Sequence, residues 1–168
     1  AVVAFETAYL KCHYPVEFLA AILNSVVGNS SKIAAFIQYG RKTGIPVLPP
    51  DVNRSQGKFS VEGGSIRYGL NALRGVGAGA VRAIVEGRQD GDYRDLYDYV
   101  ERVDYEALNK RVVESLIKAG AMDSLPGHRA QKLAVYESAL DGEQGRRKST
   151  IAGQISLFAL EGVEAPRP

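Results

Sequence analysis

The stretch Ile45-Pro46-Val47-Leu48-Pro49-Pro50-Asp51-Val52-Asn53 sets the strongest limit on what this chain can fold into. Each of its three prolines fixes φ and removes a backbone donor, so no helix can cross it. It must run extended, as a connector between two regions with patterns of their own.

On the N-terminal side the apolar residues Phe5, Tyr9, Phe18, Leu19, Ile22, Leu23 and Val26 recur at helical spacing. The pattern breaks at His13-Tyr14-Pro15, where the residue before proline is pushed out of the α region, which predicts two helices meeting at Pro15. A third helix is expected from Ser31, read as its N-cap, through Ile33, Phe36 and Ile37 to Thr43, with Gly44 closing it in a left-handed conformation.

Beyond the prolines, Phe59 and Val61 alternate with polar neighbours, as do Ile66, Tyr68 and Leu70. Gly63-Gly64 between them supplies the positive φ of a two-residue turn, so one β-hairpin is expected. The helical period then returns: a short turn from Leu70 to Arg74, a helix through Val81, Ile84 and Val85, and another through Leu96, Tyr99 and Val103. Two more are expected over residues 106–119 and 126–140, with stripes at Leu108, Val112 and Leu116 and at Leu133, Tyr136 and Leu140. From Asp141 to Thr150 there is no apolar residue, so that run reads as a solvated linker to a tethered tail. The fold class is therefore mainly α: an opening helical block and its connector over residues 1–57, a β-hairpin and helical domain over 58–142, and a flexible C-terminal segment over 143–168.

The net charge of +2 is too small to point to nucleic acid, so a binding argument depends on where the charges sit. The lone Cys12 cannot form an internal disulfide, which suggests a reducing, cytoplasmic setting. No spacing of metal ligands is present. The opening Ala-Val-Val-Ala-Phe-Glu-Thr resembles neither a signal peptide nor a membrane span, and without an initiator Met it reads as cut from something larger.

The segment from Leu70 to Val85 contains Gly75-Val76-Gly77-Ala78-Gly79 between two helical patterns, the form of a helix-hairpin-helix element. Its glycines permit a tight turn, and the amides opening the second helix can point at a phosphate, where the helix dipole also favours an anion. Such a contact holds DNA by its backbone whatever the sequence. Arg67, Arg74, Arg82 and Arg88 crowd the element, opposed by Glu86, which adds the local positive field a phosphate requires. Arg74, Gly75, Val76, Gly77, Gly79 and Arg82 are the candidate DNA-binding residues here. The plainer alternative is that the glycines only join two packed helices.

A second, degenerate copy runs from Leu108 to Leu125 and on to the helix carrying His128, Arg129 and Lys132. Its candidate contacts are Lys118, Gly120 and Arg129, and an ordinary helical hairpin with Gly120 as C-cap remains open. Between the copies Asp90, Asp92, Asp95, Asp98, Glu101, Asp104 and Glu106 are opposed by Arg94 and Arg102, which reads as a solvated acidic face turned away from nucleic acid. In the tail, Gln154-Ile155-Ser156-Leu157-Phe158 presents an apolar pair without helical partners. Such a pair seeks a pocket on another molecule, with Gln154 fixing register by hydrogen bonding.

These runs carry a resemblance. Tyr9-Leu10-Lys11-Cys12-His13-Tyr14-Pro15-Val16-Glu17-Phe18, the segment from Gly44 to Asn53, the glycine hairpin and the run from Leu108 to Leu125, in this order, resemble the bacterial family C replicative polymerases, the DNA polymerase III alpha subunits. The resemblance implies that residues 1–57 are the end of the polymerase fingers and that 58–142 form a tandem helix-hairpin-helix domain on duplex DNA. It implies that Gln154, Leu157 and Phe158 dock a β sliding clamp. It also implies a replisome-associated parent, working with the remaining domains and subunits of its holoenzyme. The carboxylates that hold Mg2+ for nucleotidyl transfer would lie upstream in the palm, so no catalytic residue, metal site or cofactor is expected in this chain. Two other readings remain: a helix-hairpin-helix DNA-repair enzyme, for which Lys118 and Asp123 would have to supply the chemistry, and a non-specific DNA-binding or purely structural module.

Overall fold

A computed structural model describes residues 2–104 and 109–151 of the chain. Helices α1 (Val2–His13) and α2 (Pro15–Ser25) meet at Tyr14, as the proline dictates, and α3 (Ser30–Lys42) follows. The cap of α3 is Asn29, one position before the helix and two before the expected Ser31. Its side chain accepts the Lys32 amide at 3.0 Å. Gly44 adopts φ +77° just past the helix end, as expected.

The proline segment is more than a connector. Val47–Leu48 forms β1, paired in parallel with β3 (Ser65–Arg67), which in turn pairs antiparallel with β2 (Ser60–Glu62), so the predicted hairpin gains a third strand in the order β1-β3-β2. The prolines flank the pairing residues, so the ladder loses no donor: Ile66 and Tyr68 donate to the carbonyls of Pro46 and Leu48 at 2.9 and 3.1 Å. Asn24 of α2 exchanges two hydrogen bonds with the backbone of Phe59, at 2.8 and 2.9 Å, and ties the sheet to the opening helices. Leu19, Leu23, Ile33, Ile45, Phe59 and Ile66 fill the core between them.

The following residues, Asp51 to Ser55, join this core to a larger one. The Val52 amide donates to the Ala121 carbonyl at 2.8 Å, Asn53 exchanges two hydrogen bonds with the backbone of Tyr93, and Arg88 donates to the carbonyls of Val52 and Ser55. The larger core gathers Val52, Leu70 and the apolar faces of α4 (Ala78–Gly87), α5 (Leu96–Arg102), α6 (Lys110–Ala119) and α7 (Arg129–Ile151). A single 3-10 turn, Leu70–Ala72, precedes α4.

The run from Asp141 to Thr150, expected as a linker, continues α7 as helix. Its charges explain this. Arg147 pairs with Glu143 one turn earlier and donates to the Glu101 carbonyl at 2.6 Å, while Arg146 pairs with Glu101 at 2.9 Å. This extension beyond Leu140 is thus held by ion pairs along its surface and by capping the carbonyls at the end of α5. Among the described residues no helix is long and apolar enough to cross a membrane.

Candidate nucleic-acid interface

The first glycine hairpin is built on the larger core. Leu70 is fully buried and Val76 nearly so, and together they anchor the turn from below. The Val76 amide donates to the Leu73 carbonyl at 3.3 Å, so Val76 is an anchor and offers neither side chain nor amide to a ligand. The helix expected before the hairpin is only the 3-10 turn at Leu70–Ala72, because the chain must turn extended again at Leu73, with ψ 128°, to reach Gly75.

Gly75, Gly77 and Gly79 look alike in sequence and differ in the structure. Gly75 has φ +85°, and a Cβ there would lie 2.8 Å from the Ser115 hydroxyl oxygen of α6. The fold itself requires glycine at that position. Gly77 is the N-cap of α4 with φ −82°, Gly79 lies in the first turn, and a Cβ on either would meet nothing within 4 Å. Both are exposed. Nothing within the described fold demands glycine at either.

With glycine at its N-cap, α4 has no side-chain cap. The amides of Ala78, Gly79 and Ala80, which open the helix, therefore have no intrahelical acceptor and point outward at its positive end. Arg74 and Arg82 flank this turn, both exposed. Two of the four arginines expected to build the local field are committed elsewhere. Arg67 grips Glu62 through two hydrogen bonds of 2.8 Å, which hold that carboxyl below its ordinary pKa. Arg88 is half-buried on the carbonyls of Val52 and Ser55, and burial pushes its pKa down. The field at the hairpin is therefore that of Arg74 and Arg82 with the helix end.

The second turn is a different object. Gly120, φ +80°, closes α6 in left-handed conformation, with its amide on Ile117 and the Ala121 amide on Leu116. The loop to α7 is bolted from inside by Lys132, only 3% exposed, whose ammonium donates to the carbonyls of Met122 and Leu125 at 2.7 and 2.8 Å. Burial lowers the pKa of this lysine. Arg129 forms a two-pronged pair with Asp123, which lowers the pKa of that carboxyl. Lys118 pairs with Glu114 at 2.5 Å. Gln131 accepts the His128 amide at 2.8 Å and caps the start of α7. The cations of this turn are thus partnered.

The acidic segment between the turns is not a uniformly solvated face. Asp95 caps α5 by accepting the Asp98 amide, and Asp98 is buried. Burial alone would raise the Asp98 carboxyl. The side chain and amide of Arg94, with Arg102, outweigh it and hold the pKa at about 2. Leu108 and Glu106 lie outside the described residues, as do Gln154, Leu157 and Phe158. Among the described residues no group of three or more His, Cys, Asp or Glu side chains could hold a metal ion.

Ser115 escaped sequence reasoning. No motif marks it, and only the close approach of α6 to Gly75 reveals it.

Comparison with known proteins agrees with this geometry. Residues 44–132, more than half of the chain, match the family model described as helix-hairpin-helix motif. Over 157 residues, 93% of its length, the chain is 46% identical to the DNA polymerase III subunit alpha of Mycobacterium tuberculosis and, over the same extent, to that of Thermus aquaticus. It is 39% identical over 162 residues to that of Vibrio cholerae. The chain spans only 13–14% of the length of these relatives.

Proposed function

The chain belongs to the helix-hairpin-helix motif family, and from that premise we propose that it is the duplex-holding, clamp-tethering segment of a bacterial replicative DNA polymerase. One observation carries the duplex-holding part. The fold needs glycine at Gly75 but not at Gly77 or Gly79, where the open space faces outward beside three unpartnered amides and two exposed arginines. A DNA backbone approaching within hydrogen-bond distance of those amides accounts for both glycines, since any side chain there would hold it off.

The two turns divide the work in this reading. The first contacts phosphate. The second, with its cations paired and its loop bolted by Lys132, braces the first. Similarity to DNA polymerase III alpha subunits over almost the whole chain supports placing this segment in a cytoplasmic replisome with its holoenzyme partners. Nucleotide addition, with its Mg2+ ions, belongs to the remainder of the parent protein. The tail peptide Gln154, Leu157 and Phe158 is the proposed β-clamp contact. A weak duplex contact and a weak clamp contact on one tether hold far longer together than either alone.

The test is a salt titration of the chain against a labelled duplex of random sequence. Binding should weaken linearly in log–log form, by about 0.9 per neutralised phosphate, and Arg74→Ala with Arg82→Ala should lower both affinity and slope. Binding without salt dependence would overturn the phosphate reading. Leu157→Ala with Phe158→Ala should abolish binding to the β clamp and leave duplex binding intact. Loss of both activities, or of neither, would overturn the separate tail site.

A further inference from the structure

The same hairpin surface has a third cation, contributed by a different helix. Ser115, whose hydroxyl crowds Gly75, lies on one stripe of α6 with Arg111 four residues before it and Lys118 three after. That stripe therefore borders the hairpin, placing Arg111 four residues, about 6 Å of rise, from the Gly75 contact.

Arg111 is exposed and forms no ion pair or hydrogen bond among the described residues. Its position makes this notable. It stands in the first turn of α6, which has no acidic residue and where the helix dipole disfavours a cation. The neighbouring Lys110, equally misplaced by that criterion, is neutralised by Glu137 and Asp141 at 3.3 and 3.1 Å. Among the described residues Arg111 has no such compensation, so an anion from outside is the partner its place calls for. Lys118, at the other end of the stripe, is held only by an exposed pair with Glu114 of the kind that contributes little to stability.

Resting on the reading of the first hairpin as a phosphate contact, we infer that Arg111 is a third phosphate-binding cation of that surface, so that α6 and the hairpin grip one DNA backbone together. The contact is electrostatic and independent of base sequence.

The experiment is fluorescence anisotropy of the full chain with a labelled duplex across a salt series, comparing Arg111→Ala, Arg111→Lys and the Arg74→Ala, Arg82→Ala pair, with circular dichroism as a check on folding. Arg111→Ala should bind on the order of fivefold more weakly and lose about 0.9 from the salt slope, while Arg111→Lys keeps the slope. If Arg111→Ala leaves affinity and slope unchanged while the Arg74, Arg82 pair lowers both, the inference fails and the hairpin reading stands. If none of the variants changes either quantity, both fail. Should Arg111→Ala fold poorly, Arg111→Lys and Arg111→Gln decide the matter: equal slopes for these two would overturn the role of its charge.

Discussion

Replacing Gly79 with alanine should make the protein more stable and a worse DNA binder, and that divergence tests the site directly. Gly79 has an ordinary helical conformation in the first turn of α4, and the added methyl would meet nothing within 4 Å. Alanine in place of glycine loses less backbone entropy on folding, a gain of about 0.5–1 kcal/mol at a compatible helical site. For a chain of this size each kcal/mol moves Tm by roughly 2–4 °C, so a rise of about 1–4 °C is expected in a thermal melt. In the proposed contact the same methyl would stand where a phosphate approaches the amides of Ala78 to Ala80. Losing one charge-assisted hydrogen bond there, about 1.5–3 kcal/mol, should weaken duplex binding roughly tenfold or more in a titration at fixed salt.

Gly75→Ala provides the contrast. Its φ of +85° costs a non-glycine residue about 1–2 kcal/mol, and the Ser115 hydroxyl, 2.8 Å from the new Cβ, must rotate away at about 0.5–1.5 kcal/mol. The backbone term is the larger, so adding Ser115→Ala should recover only the smaller part. The reasoning is refuted if Gly79→Ala lowers Tm, because the fold would then need that glycine. It is refuted equally if Gly79→Ala binds duplex with unchanged affinity.

Other outcomes follow from the core. Asp98 is ionised in the folded state down to about 2 against the usual 3.8, so it contributes about 2 kcal/mol that is fully present above pH 3.8 and disappears as pH falls toward 2. Asp98→Asn should therefore lower stability by about that amount in neutral urea melts, with the difference from the native chain closing in acid. A gap that persists unchanged at pH 2 would contradict the assignment. Tyr99 is fully buried with no hydrogen-bond partner for its hydroxyl among the described residues, whereas Tyr93 donates to the Ile84 carbonyl at 2.7 Å. Tyr99→Phe should be neutral or stabilising and Tyr93→Phe should cost about 1 kcal/mol in the same melts, so a reversed order would be evidence against this packing.

How much of this could be read beforehand depended on whether the determining contact was local. The break at Pro15, the turn at Gly63-Gly64 and the left-handed Gly44 were legible because each is fixed by its own neighbours, and Gly120 as a C-cap was one of two open readings. The third strand was not, because Val47–Leu48 is a strand only by virtue of Ile66 and Arg67, and three prolines nearby argue against pairing until the fold shows that none of them has to donate an amide to the ladder. The helix beyond Leu140 was missed for a similar reason: hydropathy sees only the missing apolar face, while the stabilising partners are Glu101 and the carbonyls at the end of α5, some 45 residues earlier.

The candidate site shows the same limit at the level of charge. Counting cations assigned Arg67, Arg74, Arg82 and Arg88 to one hairpin and Lys118 and Arg129 to its degenerate copy. Pairing, which turns on side-chain geometry that a count of cations does not see, removes Arg67, Arg88 and Arg129 from that count, leaves Lys118 in an exposed pair and brings in Arg111. The two turns share a pattern of glycine and basic residues, but a phosphate responds to the charge the fold leaves uncompensated. By that measure, among the described residues, the first turn with α6 beside it is the surface we propose to receive one.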